Sequence, residues 1–352
     1  MNLKHITDEK IIRELRALAG VYHEQNNFIG MSIGIVSGGR AAYLPFGVME
    51  KDGAEVDEFT LFDIGSLTKT FTGILFADLV SEGKLKFDDT LQSFYPELKI
   101  VPKGDTPILL EHLATHSSGF TKFPYNYGAS VDKSLDDFDR MFAYGENHMF
   151  EFMQNANLLF TPGTKYEYSN IGVTILGCIE AKADGKPFNQ ILQERICKKL
   201  GMESTATRLS AEQEKIHIFG HDENGEIIRK QYTPDGGYYM LEACGGIKSN
   251  ACDMVNYIAA NLGSFDTALL PSLDESQKIH FDNNGGFPKM GLGWHIVKHG
   301  DGLIYTHGGW VGGHRSYIAF SREKNCGAVV MINRNGNPDS LCLQLLDRLV
   351  SE

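Results

Sequence analysis

The chain has 352 residues, of which 42% are apolar and 22% charged, and its formal net charge is −12 at pH 7. This length predicts about two domains and a core that buries most of the apolar surface without disulfides or metals. Because lysines and arginines never occur in runs of more than two, the basic surface that nucleic acid requires is excluded. No stretch of about 18 apolar residues is present, which excludes a membrane-spanning helix.

The cysteines and the N-terminus bear on the cellular compartment. The six cysteines lie far apart and form no C-x-x-C motif, which favours buried reduced thiols over a disulfide framework or a zinc site. The N-terminus lacks the apolar segment of a signal peptide. We expect a cytoplasmic location if Met1 is the native start, and a periplasmic or secreted one if a signal peptide has been removed.

The N-terminal quarter predicts a helix, a hairpin and a second helix. Asp8 can cap a helix in which apolar residues recur at helical spacing over 11–21. Two β-rich runs, 31–36 and 41–47, are joined by a Ser-Gly-Gly-Arg turn and predict a hairpin. The pattern then changes to a period of 3.6, which predicts a helix over 71–79.

The middle of the chain, from Asp88 to about Ser264, is predicted to be mostly helical. Its predicted helices are Leu109–Ala114, Met149–Leu159, Asn170–Ala183, Phe188–Lys199 and Asp253–Leu262. The polar segment 216–231 contains an Asn-Gly pair and predicts a hairpin.

The last sixty residues return to strands and end in a helix. The predicted elements are the strands Gly293–Val297, Gly302–Thr306, Ser316–Phe320 and Gly327–Ile332, and a helix from about Asp339 to Val350. Strands at both ends predict an α/β (α+β) protein whose antiparallel sheet is built from both termini and flanked by helices. We expect this sheet domain to comprise residues 1–82 and 289–352, with an α-helical domain inserted at 83–288.

The sharpest local feature is Ser66-Leu67-Thr68-Lys69, just before the helix predicted at 71–79. Residues three apart on a helix share a face, so the side chains of Ser66 and Lys69 can meet. A serine hydroxyl becomes a nucleophile only when a neighbouring group takes its proton, and a buried lysine can do so. The alternative for this pattern alone is a helix-capping serine followed by a solvated lysine.

Two later segments contain further candidate functional residues. Tyr168-Ser169-Asn170 stands just before a predicted helix, and His307-Gly308-Gly309 ends a predicted strand. Taken alone, the first is explained by a capped helix start beneath a half-buried ring, and the second by a glycine-rich hairpin corner.

Together, S-x-x-K, Y-x-N and [HK]-x-G in this order resemble the motif set of the penicillin-recognising serine hydrolases. The most similar group contains class C β-lactamases, D-alanyl-D-alanine carboxypeptidases and family VIII esterases. Segments 110–119, 245–249 and 291–294 also resemble this family, and the resemblance extends from about residue 10 to the end. It implies a β-lactamase/transpeptidase-like fold with Ser66 in a cleft between the sheet and the inserted helical domain.

The resemblance also implies roles for the motif residues. Ser66 would be the acylated nucleophile, and Tyr168 would exchange a proton with the serine and the leaving group. Since a tyrosine has a pKa near 10, it could act as a phenolate only beside a cation such as Lys69. Asn170 would hold the substrate carbonyl, because an amide both donates and accepts hydrogen bonds.

The third motif would bind substrate. His307, Gly308, Gly309 and Trp310 would form a strand edge along which a substrate lies, since glycines allow close approach. The backbone N–H groups of Ser66 and Trp310 would form the oxyanion hole.

One departure from the family bears on the substrate. Class C β-lactamases carry K-T-G where this chain has His-Gly-Gly, so a permanent charge and a hydroxyl are missing. This change favours a small ester or a D-amino-acid amide over a cephalosporin. If His307 attracts carboxylates, such substrates should improve as the pH falls toward 6. Arg315 is either a carboxylate clamp that restores the charge or a solvent-facing side chain.

The predicted function is a serine hydrolase that forms an acyl-enzyme with an ester, a D-amino-acid amide or a β-lactam, most simply an esterase or D-peptidase. The alternatives are a class C-type β-lactamase and, from a different class, a non-catalytic pocket used for binding or regulation. No cofactor and no metal ion is expected. The expected partner is a small-molecule or peptide substrate, and the oligomeric state is left open.

Other patterns in the chain have structural explanations. Gly30-Met31-Ser32-Ile33-Gly34 matches the G-x-S-x-G nucleophile elbow, but a strand rather than a helix is predicted after Ser32. His112 and His116 stand four apart without the glutamate of a zinc-protease motif. Several aromatic residues between 120 and 150 either roof the site or pack in a core: Phe120, Phe123, Tyr125, Tyr127, Phe142 and Tyr144.

Overall fold

The computed structural model describes residues 3–98, 100, 103–127, 144–228, 242–286 and 288–350. Its strands are β1 (Lys4–His5), β2 (Gly30–Ser37), β3 (Arg40–Gly47), β4 (Phe62–Asp63), β5 (Gly220–His221), β6 (Ile227–Ile228), β7 (Lys248–Ser249), β8 (Phe281–Asp282), β9 (Lys289–Met290), β10 (His295–His299), β11 (Gly302–Val311), β12 (His314–Ser321) and β13 (Cys326–Ile332).

Residues from both ends of the chain build one nine-stranded sheet in the order β1-β3-β2-β13-β12-β11-β10-β9-β8. The central pairing is between β2 and β13, which lie almost 300 residues apart in sequence and run antiparallel. Only the short β1 runs parallel to its neighbour β3, so the sheet is mixed. The predicted sheet built from the two termini is therefore confirmed, with this one parallel pair added.

The helices of the described residues are Glu9–Asn26, Thr68–Ser81, Leu91–Phe94, Leu110–Ala114, Glu146–Asn155, Asn170–Asp184, Phe188–Leu192, Lys198–Leu200, Ala211–Glu214, Glu242–Gly245, Ala251–Asn261, Leu270–Ser276 and Pro338–Val350. A π-helical turn, Gln193–Cys197, joins two of them, so the helix predicted over 188–199 is continuous but irregular. The polar hairpin predicted at 216–231 is present as β5 and β6, and its residues after 228 lie outside the described part.

Two predicted boundaries differ most from the structure. The helix predicted at 149–159 spans Glu146–Asn155, because the His148 ring accepts a hydrogen bond from the Gly145 N–H at the helix start and Ala156 is extended. Strand β11 does not end before His307 but continues to Val311. The two glycines do not interrupt it, since Gly308 and Gly309 pair with Tyr317 and Ser316 of β12.

The helix Thr68–Ser81, here called the central helix, is buried on all sides rather than on one face. Phe71 and Ile74 belong to a core cluster that also contains sheet residues, and Phe76 and Leu79 belong to a cluster of helical residues. A helix that is apolar all round lies within a core. The central helix therefore joins the sheet to the helical layer and places Ser66, just before its first residue, between them.

The opposite face of the sheet is covered by the two terminal helices, Glu9–Asn26 and Pro338–Val350, which contribute to a third cluster with β2, β3 and β13. Helix Ala251–Asn261 packs on the other face, against β2 and β13. The domain boundaries near residues 82 and 289 stay a prediction.

Candidate active site

Ser66 lies in a 3₁₀ turn, Gly65–Leu67, that leads directly into the central helix. Gly65 has a φ of +52°, which L-residues rarely adopt. A Cβ at this position would lie 2.6 Å from the backbone nitrogen of Trp310. Glycine therefore allows the turn that carries Ser66 to lie against β11.

The β11 side of this contact also requires glycine. A Cβ on Gly309 would lie 1.9 Å from the carbonyl oxygen of Ile64 and 2.3 Å from Ser316 Oγ. Ser316 Oγ donates a hydrogen bond of 2.8 Å to the same Ile64 carbonyl and ties β12 to the turn. The backbone of Trp310 is thereby held next to Ser66, as the expected oxyanion hole requires.

Lys69 lies one helical turn after Ser66, and its side chain is 1% exposed. Its Nζ is 3.0 Å from Ser66 Oγ and donates to the Cys244 carbonyl oxygen at 2.6 Å. No carboxylate of the described residues forms a salt bridge with it. Burial lowers the pKa of Lys69 to about 8. About a tenth of the lysine is therefore neutral at pH 7 and able to accept a proton.

Tyr168 lies over this pair, with Lys69 Nζ 4.9 Å from the centre of its ring. Burial raises the pKa of Tyr168 above its usual value of 10, and a hydrogen bond with Ser66 offsets only part of this rise. Tyr168 is therefore a neutral phenol at pH 7, and proximity to Lys69 does not make it a phenolate. Of the two groups next to Ser66, the lysine is the better base.

Asn170 is positioned by the start of its helix. Ser169 caps helix Asn170–Asp184 by accepting a hydrogen bond from the Gly172 N–H at 3.0 Å, and its own N–H donates to His116 Nδ1 at 3.1 Å. The Asn170 N–H donates to the Lys122 carbonyl oxygen. These bonds fix the loop that carries both Tyr168 and Asn170.

A cleft with a volume of about 330 Å³ opens at Ser66. Seven of the eight predicted site residues line it: Ser66, Tyr168, Asn170, His307, Gly308, Gly309 and Trp310. The eighth, Lys69, lies behind Ser66 and contacts it. The structure thus brings together all the residues that the three motifs singled out.

Two histidines in this region were missed by sequence reasoning. The ring of His295 lies 5.0 Å from that of His307, and the ring of His116 lies 4.4 Å from that of Tyr168. His295 Nε2 is also 3.0 Å from the Tyr166 hydroxyl. His116 and His295 lie in or next to segments that resemble the family, but only the fold places them at the cleft.

Burial makes all three histidines neutral. It lowers the pKa of His295 to about 4 and those of His307 and His116 well below 6.5, and the nearby charge of Lys69 lowers them further. His307 Nδ1 donates to the Gly308 carbonyl oxygen at 2.7 Å, so its Nε2 is an acceptor, and this atom is buried without a partner. The expectation that His307 attracts carboxylates better near pH 6 is therefore wrong, because its ring does not become charged there.

Arg315 faces the cleft. Its guanidinium carbon lies 4.6 Å from the centre of the Trp310 ring, and its Nε is buried without a hydrogen-bond partner. The indole that supports it is 61% exposed. Asp339 also lies on the cleft wall, where burial raises its pKa and the charge of Arg315 opposes this rise.

The aromatic residues between 120 and 150 serve both predicted purposes. Phe123 lines the cleft and stacks on Tyr127, whereas Phe120 and Tyr144 are buried in the helical core. Phe142 lies outside the described residues.

The remaining patterns are structural. Ser32 is fully buried within β2, so residues 30–34 form a strand and not a nucleophile elbow. His112 Nδ1 accepts the Leu109 N–H at a helix start. Within the part of the chain that the structure describes, no helix combines the length and apolarity needed to cross a membrane.

Comparison with known proteins identifies the family of this chain. The protein-family model described as "Beta-lactamase" matches residues 9–349. A β-lactamase from Pseudomonas fluorescens is 26% identical over 348 residues, which covers 89% of this chain and 90% of that protein. The D-alanyl-D-alanine-carboxypeptidase/endopeptidase AmpH of Escherichia coli K12 is 26% identical over 323 residues, covering 87% of this chain and 80% of that protein.

Solved structures show the same fold at lower identity. A class C β-lactamase superposes with a TM-score of 0.84 at 22% identity, covering 99% of this chain and 98% of that one. The D-alanine carboxypeptidase AmpC from Burkholderia cenocepacia gives a TM-score of 0.81 at 22% identity, with 97% and 99% covered. Because the family model spans nearly the whole chain and the fold agrees, the chain belongs to the β-lactamase family and is a serine hydrolase.

Proposed function

We propose that this protein hydrolyses a small ester or a D-amino-acid amide through an acyl-enzyme on Ser66. The observation that carries the proposal is the 3.0 Å contact between Ser66 Oγ and a buried Lys69 whose pKa is about 8. A lysine without a counter-charge, held against a hydroxyl at the end of a cleft, is the arrangement that activates a serine.

The proposed reaction has two halves. Neutral Lys69 accepts the Ser66 proton as Oγ attacks the acyl carbon, and the backbone N–H groups of Ser66 and Trp310 stabilise the oxyanion. The bond to the leaving group then breaks, and the leaving group takes a proton from Tyr168, which Lys69 replenishes. A water molecule next attacks the ester on Ser66 and releases the acid, with the same groups moving its proton. Asn170 holds the amide or ester carbonyl of the substrate.

The charges around the cleft favour a substrate whose binding does not require a cation in the third motif. His307 is neutral and Gly308 has no side chain, so neither supplies a charge-assisted hydrogen bond to a carboxylate. Such a bond contributes about 1.5–3 kcal/mol to the binding free energy. The relative named as a D-alanyl-D-alanine-carboxypeptidase/endopeptidase is in line with the amide part of the proposal.

A class C-type β-lactamase is the second candidate, and Arg315 is the observation that favours it. The guanidinium of Arg315 on the cleft wall could offer a carboxylate two parallel N–H donors. The relatives named β-lactamase support this alternative.

The test is an active-site titration followed by a turnover panel. Intact-mass measurement with a fluorophosphonate should show one adduct per chain, absent in Ser66→Ala, and a lack of any adduct would favour a non-catalytic pocket. Turnover of a p-nitrophenyl ester, a D-Ala-D-Ala peptide and nitrocefin then ranks the substrates. Nitrocefin as the fastest of the three would replace the proposal by the second candidate.

A further inference from the structure

Behind the active site, and outside the cleft, Asp63, His217 and His314 form a buried cluster. Among the described residues it is the one group of three or more potential metal ligands whose donor atoms converge, all lying within 4.8 Å of one another. Asp63 is on β4, three residues before Ser66. His314 is the first residue of β12, and His217 lies in the loop before β5.

The distances between the donor atoms suit one metal ion. Asp63 Oδ2 is 3.0 Å from His217 Nε2 and 3.4 Å from His314 Nε2. Two ligands bound to a tetrahedral zinc ion at about 2.0–2.2 Å lie about 3.3–3.5 Å apart. Asp63 Oδ2 and His314 Nε2 already have this spacing, and since no donor pair is more than 4.8 Å apart, small side-chain shifts would bring all three onto one ion, with one position left for a fourth ligand.

His314 supplies an independent argument. Its side chain is 2% exposed, and its Nδ1 has no hydrogen-bond partner. Its Nε2 points at Asp63 Oδ2 from 3.4 Å, longer than the usual N–H···O distance of about 2.9–3.0 Å. Since a buried polar group is costly unless it is paired, this ring is poorly satisfied by the protein alone. A cation bound between Nε2 and Oδ2 would replace this long contact, while Nδ1 would keep its present surroundings.

The carboxylate of Asp63 already has a cation on its other side. Lys248 Nζ lies 3.6 Å from Oδ1, while both imidazoles face Oδ2. The two oxygens therefore have separate partners, and Oδ2 remains the metal-facing atom. Repulsion from the ammonium weakens binding but does not block the position between the rings.

We infer that Asp63, His217 and His314 bind one divalent ion of the zinc type. Two imidazole nitrogens and one carboxylate oxygen are a donor set that suits zinc and its cobalt substitute better than calcium or magnesium, which take oxygen ligands. The ion would link the strand that leads to Ser66 with the β11–β12 hairpin that carries Trp310. It takes no part in the reaction and instead holds the two sides of the expected oxyanion hole together.

The experiment uses the full chain after removal of metals with a chelator. Calorimetric titration with zinc chloride should give one ion per chain, zinc should raise the melting temperature, and cobalt should produce the visible absorption of a tetrahedral nitrogen–oxygen site. His217→Gln and His314→Gln should each weaken zinc binding by about a hundredfold or more. Loss of a residue that only hydrogen-bonds to a metal ligand already lowers metal affinity by about 10- to 100-fold, and these two residues are ligands themselves.

The control is His299→Gln. His299 is a more exposed histidine whose Nε2 contacts the single carboxylate of Asp347, so it tests adventitious binding at a His–Asp pair. This variant should bind zinc like the wild type. Absence of a stoichiometric ion in the wild type, binding that persists in the His217→Gln/His314→Gln double variant, or loss of binding in His299→Gln would each overturn the inference. Circular dichroism establishes that each variant is folded, and the cobalt spectrum of the wild type tests the site without any substitution.

Discussion

Two lysines, Lys69 and Lys248, are both buried near the nucleophile, and comparison of them explains how one fold makes a base and an ion pair. Lys69 contacts a hydroxyl and a carbonyl oxygen, whereas Lys248 lies 3.6 Å from the carboxylate of Asp63. Burial lowers the pKa of both, but for Lys248 the charge of Asp63 opposes this effect. Burial without a counter-charge yields a lysine that can accept a proton, whereas burial beside a carboxylate, which opposes the lowering of the pKa, yields an ion pair between two strands.

The strongest test of this comparison is substitution of Lys69. Ser66→Ala and Lys69→Ala should each reduce kcat for a p-nitrophenyl ester by about 10⁴-fold or more, because members of one catalytic unit are not additive. Lys69→Arg should be equally inactive, since an arginine stays protonated and cannot accept a proton. Steady-state kinetics check this, and appreciable activity in Lys69→Arg would show that the residue acts as a fixed charge and not as a base.

The second test removes the counter-charge of the other lysine. Asp63→Asn should destabilise the metal-free protein by about 3–5 kcal/mol, because it removes the carboxylate charge that faces the buried ammonium of Lys248. Adding Lys248→Met to that variant should recover part of the loss. Urea unfolding of the four proteins of this cycle measures the coupling. If the effects of the two substitutions simply add, the pair is not energetically linked.

The pH dependence of activity provides a third test. With a pKa of about 8, Lys69 should make kcat/KM for a neutral ester rise nearly a hundredfold from pH 6 to pH 9 and level off above 8. kcat/KM rises with pH because the neutral lysine is the active form. No inflection is expected near pH 6, since His295 has a pKa of about 4 and His307 titrates well below 6.5. An inflection near 6 would instead assign the base to a histidine.

Substitution of Arg315 tests whether a residue outside the three motifs supplies a cation that binds the substrate. Arg315→Ala should lower kcat/KM for carboxylate-bearing substrates by about ten- to a hundredfold and leave a neutral ester nearly unaffected. His307→Lys should improve the carboxylate-bearing substrates, because it restores a permanent charge at the third motif. Kinetics with nitrocefin and the ester measure both. Equal losses for both substrates in Arg315→Ala would show that the residue only supports Trp310.

The smallest expected effect concerns Glu180, a buried acid that can be compared with the two buried lysines. Glu180 is fully buried, neither oxygen has a hydrogen-bond partner, and burial raises its pKa well above 4.5. The folded state therefore keeps a proton that the unfolded chain loses, so stability should fall as the pH rises from about 4.5 through the folded pKa. Glu180→Gln should remove this slope and add about 1 kcal/mol or more at pH 8. Urea unfolding at pH 5 and pH 8 is the check, and a variant no more stable at pH 8 would contradict it.

Sequence reasoning predicted the parts that depend on local pattern. The three motifs, the hairpin β2–β3, the strands near the C-terminus and most helices follow from residue periodicity, caps and turn residues within short windows. The chain order of the motifs also indicated the fold, and the structure has the expected sheet of both termini. Errors occurred where local signals are ambiguous, as at Gly308 and Gly309, which continue a strand because β12 pairs with them.

The tertiary structure alone decided which groups are buried together, and burial controls their charge. Burial lowers the pKa of both Lys69 and Lys248, but only Lys248 meets a carboxylate that opposes this effect, and that carboxylate is 185 residues away from it in sequence. The neutral state of His307, the orientation of Arg315 toward the cleft and the convergence of Asp63, His217 and His314 have the same origin. Each depends on distances between residues that are far apart in the chain, and electrostatic free energies depend on those distances and on the exclusion of water.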